Sequence, residues 1–161
     1  RNLKIYNIHP SYIPYDKGKS PYLFNILKNN PQGITIHKVS NKIDSGKIFF
    51  RKKIKTHDYI SGFELRNFLM INCILFLKEK IYFLINDKLN QIKVKKNINK
   101  INYSKDIDKK TQIYLKKRYI AKDLINIIRS RSGFKKGGAF FFDNKKKFTI
   151  EVKIHEKKDK E

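Results

Sequence analysis

The chain begins with apolar Leu3, Ile5 and Ile8 set among polar residues, and the run stops at Pro10. That spacing predicts a strand, ended by proline because it has no N–H to give to a ladder. Pro14, Gly18 and Pro21 in "YIPYDKGKSP" predict a tight loop. Leu23, Ile26 and Leu27 then recur at helical spacing, and "NNPQG" closes that short helix. Alternation returns at Ile34, Ile36 and Val39 and again at Ile48 and Phe50, predicting two strands joined by "SNKIDSG".

A long apolar body in "THDYISGFELRNFLMINCILFLKEKIYFLIND" predicts a helix, with Thr56 or Asp58 as its N-cap and Glu64 in an early turn. From about Asn86 to Lys110 the chain is lysine- and asparagine-rich with scattered isoleucines, which reads as irregular linker with at most one short strand. Helical spacing resumes at Leu124, Ile127 and Ile128. The strongest hairpin pattern comes last: Phe140 to Phe142, a turn at "DNKKK", then alternation at Phe148, Ile150, Val152 and Ile154. The final "HEKKDKE" reads as a frayed charged tail.

A hydrophobic fraction of 40% with 13% aromatics favours a packed domain over disorder. Net charge is +24, from 38 Lys+Arg against 14 Asp+Glu, which brings anionic partners into view. Lysine, asparagine and isoleucine are abundant along the whole length, however, so the charge reads mainly as solvated surface. Cys73 is the only cysteine and sits in an apolar run, as a buried thiol in a reducing cytosol would, and it excludes an intrachain disulfide. The longest apolar stretch, Phe68 to Leu77, falls short of the roughly 18 residues that span a bilayer. No secretory leader pattern opens the sequence, and the expected location is cytoplasmic, with no membrane partner.

Three residues could combine chemically. Asn7 and His9 are two apart on one strand, so their side chains share a face. An asparagine amide can donate to a developing oxyanion, and an imidazole can do the same or move a proton. A carboxylate brought close, such as Asp44 from its loop, would keep that imidazole protonated and accept a proton from an attacking amine. Such a set suits acyl transfer to nitrogen. No group of residues suggests a metal site.

Two strings carry a resemblance. "NIHPSYIPYDKGKSP" is similar to the Asn-x-His-x-Ser-x-x-Pro segment of the 10-formyltetrahydrofolate-dependent formyltransferases, and "GITIHKVSNKIDSGKI" resembles their Gly-x-Thr-x-His segment leading into an Asp-x-Gly loop. The resemblance covers about Leu3 to Leu77. It implies an α/β fold: the C-terminal half of a Rossmann-like formyltransferase domain, followed by a small helix plus β-hairpin element. Residues 1–85 would be the C-terminal part of the catalytic domain, 86–112 a linker and 113–161 a small subdomain. The front of the family's domain would be missing, and the isolated chain would have little or no activity.

By the same resemblance Asn7, His9 and Asp44 match the catalytic asparagine, histidine and aspartate. A substrate amine would attack the N10-formyl group, with Asn7 and His9 stabilising the oxyanion and Asp44 taking the amine's proton. The donor's binding segment would involve Thr35, His37, Ile43 and Asp44. His37 reads as a strand histidine packed near the site rather than a chemical participant. Lys17-Gly18 stands where arginine-glycine is common, and lysine lacks arginine's fork.

Within the family, "HPSYIPYDKGKSPYLF" and the C-terminal "IYLKKRYIAKDLINIIRSRSGFKKGGAFFFDNKKKFTI" look more like the sugar N-formyltransferases than the methionyl-tRNA enzymes. The implied acceptor is the amine of a nucleotide-linked amino sugar. The rival acceptor is methionyl-tRNA, whose backbone the basic tail from Lys109 to Lys147 could follow while Tyr114, Tyr119 and Phe134 stack. A third reading is a non-catalytic basic remnant that binds nucleic acid or is purely structural. The exposed apolar hairpin invites pairing into a homodimer.

Overall fold

The computed structural model describes residues 3–94, 100–135 and 137–157. Parts of the expected linker (95–99) and of the charged tail (158–161) lie outside the described residues. The order of elements is β1 (Tyr6–His9), α1 (Pro21–Lys28), β2 (Gly33–Lys38), β3 (Ile48–Lys53), α2 (Gly62–Ile85), α3 (Ser104–Thr111), α4 (Ala121–Arg131), β4 (Ala139–Asp143) and β5 (Lys146–Ile150).

Strands β1, β2 and β3 form one antiparallel sheet in that order, with Asn7 opposite His37 and His9 opposite Thr35. Side chains alternate across a strand, so the sheet has an apolar and a polar face. Ile34 and Ile36 of β2 join Ile26, Ile60, Leu65, Leu69, Cys73 and Phe76 in the core, with Tyr6 and Ile8 packed against it. The alternate positions, Asn7, His9, Thr35 and His37, face the other way. The pleat that builds the core thereby gathers the polar residues.

Helix α2 begins at Ser61, not at Thr56 or Asp58. Ser61 Oγ accepts from the Glu64 N–H at 3.3 Å while the Glu64 carboxylate accepts from the Ser61 N–H at 3.0 Å. This reciprocal cap satisfies two end donors, a closure that neither earlier candidate makes. Only part of α2 is inside: Leu65, Leu69, Cys73 and Phe76 are buried, while Met70, Ile71, Ile74, Leu75, Tyr82 and Ile85 are exposed.

The stretch expected to be irregular contains α3, held at its start by Asp106 accepting from the Tyr103 N–H at 3.2 Å. Its strand-like pairings are isolated bridges, from Ile92 to Ile48 and from Asn102 to Gly18. Beyond it, α4 packs against α1 and α2. The hairpin turn is tighter than the expected "DNKKK": Asn144 and Lys145 alone turn the chain, both with positive φ, and Lys146 and Lys147 already belong to β5. The strand ends at Ile150, before the expected alternation at Val152 and Ile154. Among the described residues, no helix is long and apolar enough to cross a membrane.

Candidate active site

Asp44 is the meeting point. It occupies the loop between β2 and β3 with φ of 46°, a left-handed conformation that aspartate tolerates better than most residues. A Cβ on the following Gly46 would overlap the Lys38 carbonyl, so glycine lets this loop close against the end of β2. The Asp44 side chain, 10% exposed, collects four contacts. His9 Nδ1 lies 3.5 Å from Oδ2 and His37 Nε2 3.4 Å from Oδ1. Asn7 Nδ2 donates to Oδ1 at 3.3 Å, and the Gly18 backbone N–H donates to Oδ2 at 2.7 Å.

The three residues that the sequence reading grouped are thus in one cluster. His37 is part of it too, closer than a packing role requires: Asn7 Nδ2 is also 3.3 Å from its Nε2, and its Nδ1 donates to the Lys38 carbonyl at 2.9 Å. Thr35 lies on the same face, but it is fully buried. Its hydroxyl donates to the Ser11 carbonyl at 2.8 Å and accepts from the Ile13 N–H at 3.1 Å, so it holds the loop after His9 and offers nothing to a ligand. Ile43, beside Asp44, is 48% exposed and open to contact.

Burial and charge set the protonation states. Burial disfavours the charged imidazole of His9 and holds its pKa below the ordinary 6.5, although the nearby Asp44 carboxylate and the Asp16 carbonyl pull it up. Burial thus works against the protonated imidazole that the sequence leads one to expect beside Asp44. Desolvation favours the charged form of neither partner, and at His9 it wins over the Asp44 carboxylate. Burial also works to raise Asp44, but contact with His37, the His9 charge and the Gly18 N–H outweigh it and leave the carboxyl below its usual range.

The position of the His9 proton follows from its other contact. Nε2 is 3.1 Å from the Asp16 carbonyl oxygen, which can only accept. Nε2 therefore carries a proton, and Nδ1 faces Asp44 Oδ2 at 3.5 Å. The Asp16 carbonyl and the Gly18 N–H were invisible to the sequence reading because both are backbone groups. The one available signal was the glycine itself in "PYDKG".

A cavity of about 490 Å³ lies elsewhere, between the start of α2, the end of α4 and the segment after β5. It brings His57 and His155 together with Tyr59 and Arg129. Phe134, considered above for base stacking, is not free: it stacks on Tyr22 at 5.8 Å and meets Phe63 edge-on at 5.4 Å.

Both parts of the chain have relatives. Residues 1–62 match the family model described as formyl transferase, and residues 106–156 match the N-formyltransferase dimerization C-terminal domain. The front of the chain is thus similar to the formyl transferase domain and its back to the N-formyltransferase C-terminal dimerization domain. A sugar N-formyltransferase from a Shewanella species has the same fold, with a TM-score of 0.88 at 23% identity over 98% of this chain and 64% of that one. An N-formyltransferase from Helicobacter canadensis, solved with folinic acid and dTDP-3-aminofucose, gives a TM-score of 0.74 at 25% identity over 88% of this chain and 51% of that one.

The dTDP-4-amino-4,6-dideoxyglucose formyltransferase of Mycobacterium tuberculosis is 30% identical over 56 residues, 35% of this chain and 24% of that protein. A methionyl-tRNA formyltransferase from Ureaplasma parvum is 30% identical over 111 residues, 68% of this chain and 36% of that protein. The chain therefore spans about a quarter to a third of the length of these two relatives.

Proposed function

We propose that this chain provides the catalytic cluster of an enzyme that transfers a formyl group from 10-formyltetrahydrofolate to the amine of a nucleotide-linked amino sugar. The observation that carries the reading is the convergence of Asn7, His9 and Asp44 on the polar face of a sheet shared with sugar N-formyltransferases. The donor's flat ring system suits the surroundings: Ile5, Val39 and Ile43 are 51%, 45% and 48% exposed beside the Asp44 loop. Bound there, 10-formyltetrahydrofolate would supply the formyl carbon that the amine attacks.

The chain's own groups divide the remaining work. Asn7 Nδ2 has N–H groups to turn towards the oxygen on which negative charge develops, a contact worth about 2.7–4 kcal/mol in related chemistry. Nδ1 of the neutral His9 takes the proton that the attacking amine must lose, relayed by the Asp44 carboxylate. The imidazolium so formed has Asp44 as its counter-ion, and it can return the proton to the departing nitrogen. His37 and the Gly18 N–H keep Asp44 ionised and aimed. Thr35 positions the loop that carries His9's neighbours. Two chains pair through the β4–β5 hairpin, where Phe142 and Phe148 are 49% and 44% exposed and the matched domain is a dimerization domain.

Methionyl-tRNA formylation is the second reading, favoured by the length of the Ureaplasma match. Titration with folinic acid, followed by formyl transfer from 10-formyltetrahydrofolate to dTDP-4-amino-4,6-dideoxyglucose read by mass spectrometry, separates the two. Transfer to the sugar by a protein in which this chain follows the front of the catalytic domain, abolished by Asp44→Asn, is the expected result. Saturable tRNA binding with a steep salt dependence, and no transfer to the sugar, would overturn it.

A further inference from the structure

The cluster leans on one irregular turn. Asp16 gives the carbonyl that fixes His9 Nε2 at 3.1 Å, and Gly18 gives the N–H that reaches Asp44 at 2.7 Å. Both residues have left-handed backbones, with φ of 49° and 92°. No helix or strand includes this turn, so something else must fix it.

What fixes it is Asn102, from the stretch that reads as linker. Its N–H donates to the Lys17 carbonyl at 2.9 Å, and its own carbonyl accepts from the Lys19 N–H at 2.9 Å. Its side-chain Oδ1 accepts from Lys28 Nζ at 2.8 Å, and the same ammonium lies 3.3 Å from Asp16 Oδ1. Asn30 Nδ2 donates to both Asp16 oxygens, at 3.0 and 3.1 Å. Asn102 is 5% exposed and Asp16 is fully buried. A Cβ on Gly18 would overlap the Asn102 carbonyl and crowd Ile101, so the close approach of the two backbones itself requires glycine here.

We propose that Asn102 is a positioning residue for the active site: by clamping the turn from Asp16 to Lys19 it holds His9 in the Nε2-protonated tautomer and keeps the Gly18 N–H on Asp44. The roles of His9 and Asp44 in this statement rest on the function proposed above. The clamp itself does not. Two backbone bonds and one charge-assisted bond are enough to hold a four-residue turn that has no ladder of its own. The link also makes the arrangement of the catalytic cluster depend on residues just before α3.

The test reads the His9 imidazole directly in the ¹⁵N-labelled 161-residue chain, without substrate, the resonances being identified by their loss in His9→Gln. Wild type is expected to show the proton on Nε2 in the neutral form. Asn102→Pro removes the N–H given to Lys17, and the Nδ1–H form is then expected to rise about fivefold, the size that one lost hydrogen bond supports. Lys28→Met, at a side chain 37% exposed, cuts the side-chain link and decides the matter if the proline variant does not fold. An unchanged tautomer and an unchanged His9 titration midpoint in the folded variants would overturn the assignment. That failure is separate from failure of the proposed function, which is read only in formyl transfer.

Discussion

His9 Nδ1 stands 3.5 Å from Asp44 Oδ2, yet the imidazole stays neutral at pH 7 because burial outweighs the carboxylate. In the proposed reaction the pair receives a proton rather than holding one in advance. A titration of His9 by NMR is expected to give a midpoint below 6.5. Asp44→Asn removes a charge that pulls the midpoint up, so it should fall further; a rise would contradict the assigned balance.

The same shifts act on stability, and both in one direction. His9 has a lower pKa folded than unfolded, so between these values the unfolded chain binds more protons and folding weakens as pH falls below about 6.5. Asp44, also lowered, adds its own loss as pH falls below about 3.8. Thermal midpoints measured from pH 7.5 to 5 should decline in wild type, and the decline should be shallower in His9→Gln.

Removing Asn7 should separate chemistry from folding. Asn7→Ala is expected to lower the rate of formyl transfer by about 10² to 10³, the range for loss of one donor to a developing oxyanion. Circular dichroism and the melting midpoint should change little, because Asn7 is only partly buried. A variant with full activity would remove Asn7 from the mechanism.

Thr35 calls for the opposite outcome. Thr35→Val leaves the Ser11 carbonyl and the Ile13 N–H without their buried partner, at a cost of about 1–3 kcal/mol. Chemical denaturation should show that loss, and the affinity for folinic acid measured on the folded fraction should stay within about twofold of wild type.

At the other end of the chain, a charge placed on the hairpin should disrupt pairing of two copies. Phe148→Glu alters a residue 44% exposed on β5 and stacked on Phe141 at 5.4 Å. Sedimentation velocity is expected to show a dimer for wild type and a monomer for the variant. A variant that remains dimeric would move the interface off this hairpin.

Much of this was legible in the sequence because period-two alternation both builds the sheet and sorts its faces. Ile34 and Ile36 announce β2, and the same count puts Asn7 and His9 together. Asp44 could be found only through the string around it. The charge state of His9 was not legible, since it depends on burial by residues distant in sequence. Ser61-Gly62-Phe63-Glu64 carries the reciprocal capping pattern, a more specific signal than an isolated Thr56 or Asp58. Asn102 lies among lysines and asparagines that carry no periodicity, and its partners are long-range backbone groups that no local pattern encodes.

Cys73 sits in the middle of α2, 4% exposed, with its thiol pushed up to about 11 by burial. At neutral pH it is almost never a thiolate, so alkylating reagents must wait until α2 lifts away from Ile34 and Ile36. As the only cysteine in the chain it is a built-in clock. The rate at which it is labelled counts openings of the apolar side of the very sheet whose other side carries Asn7 and His9.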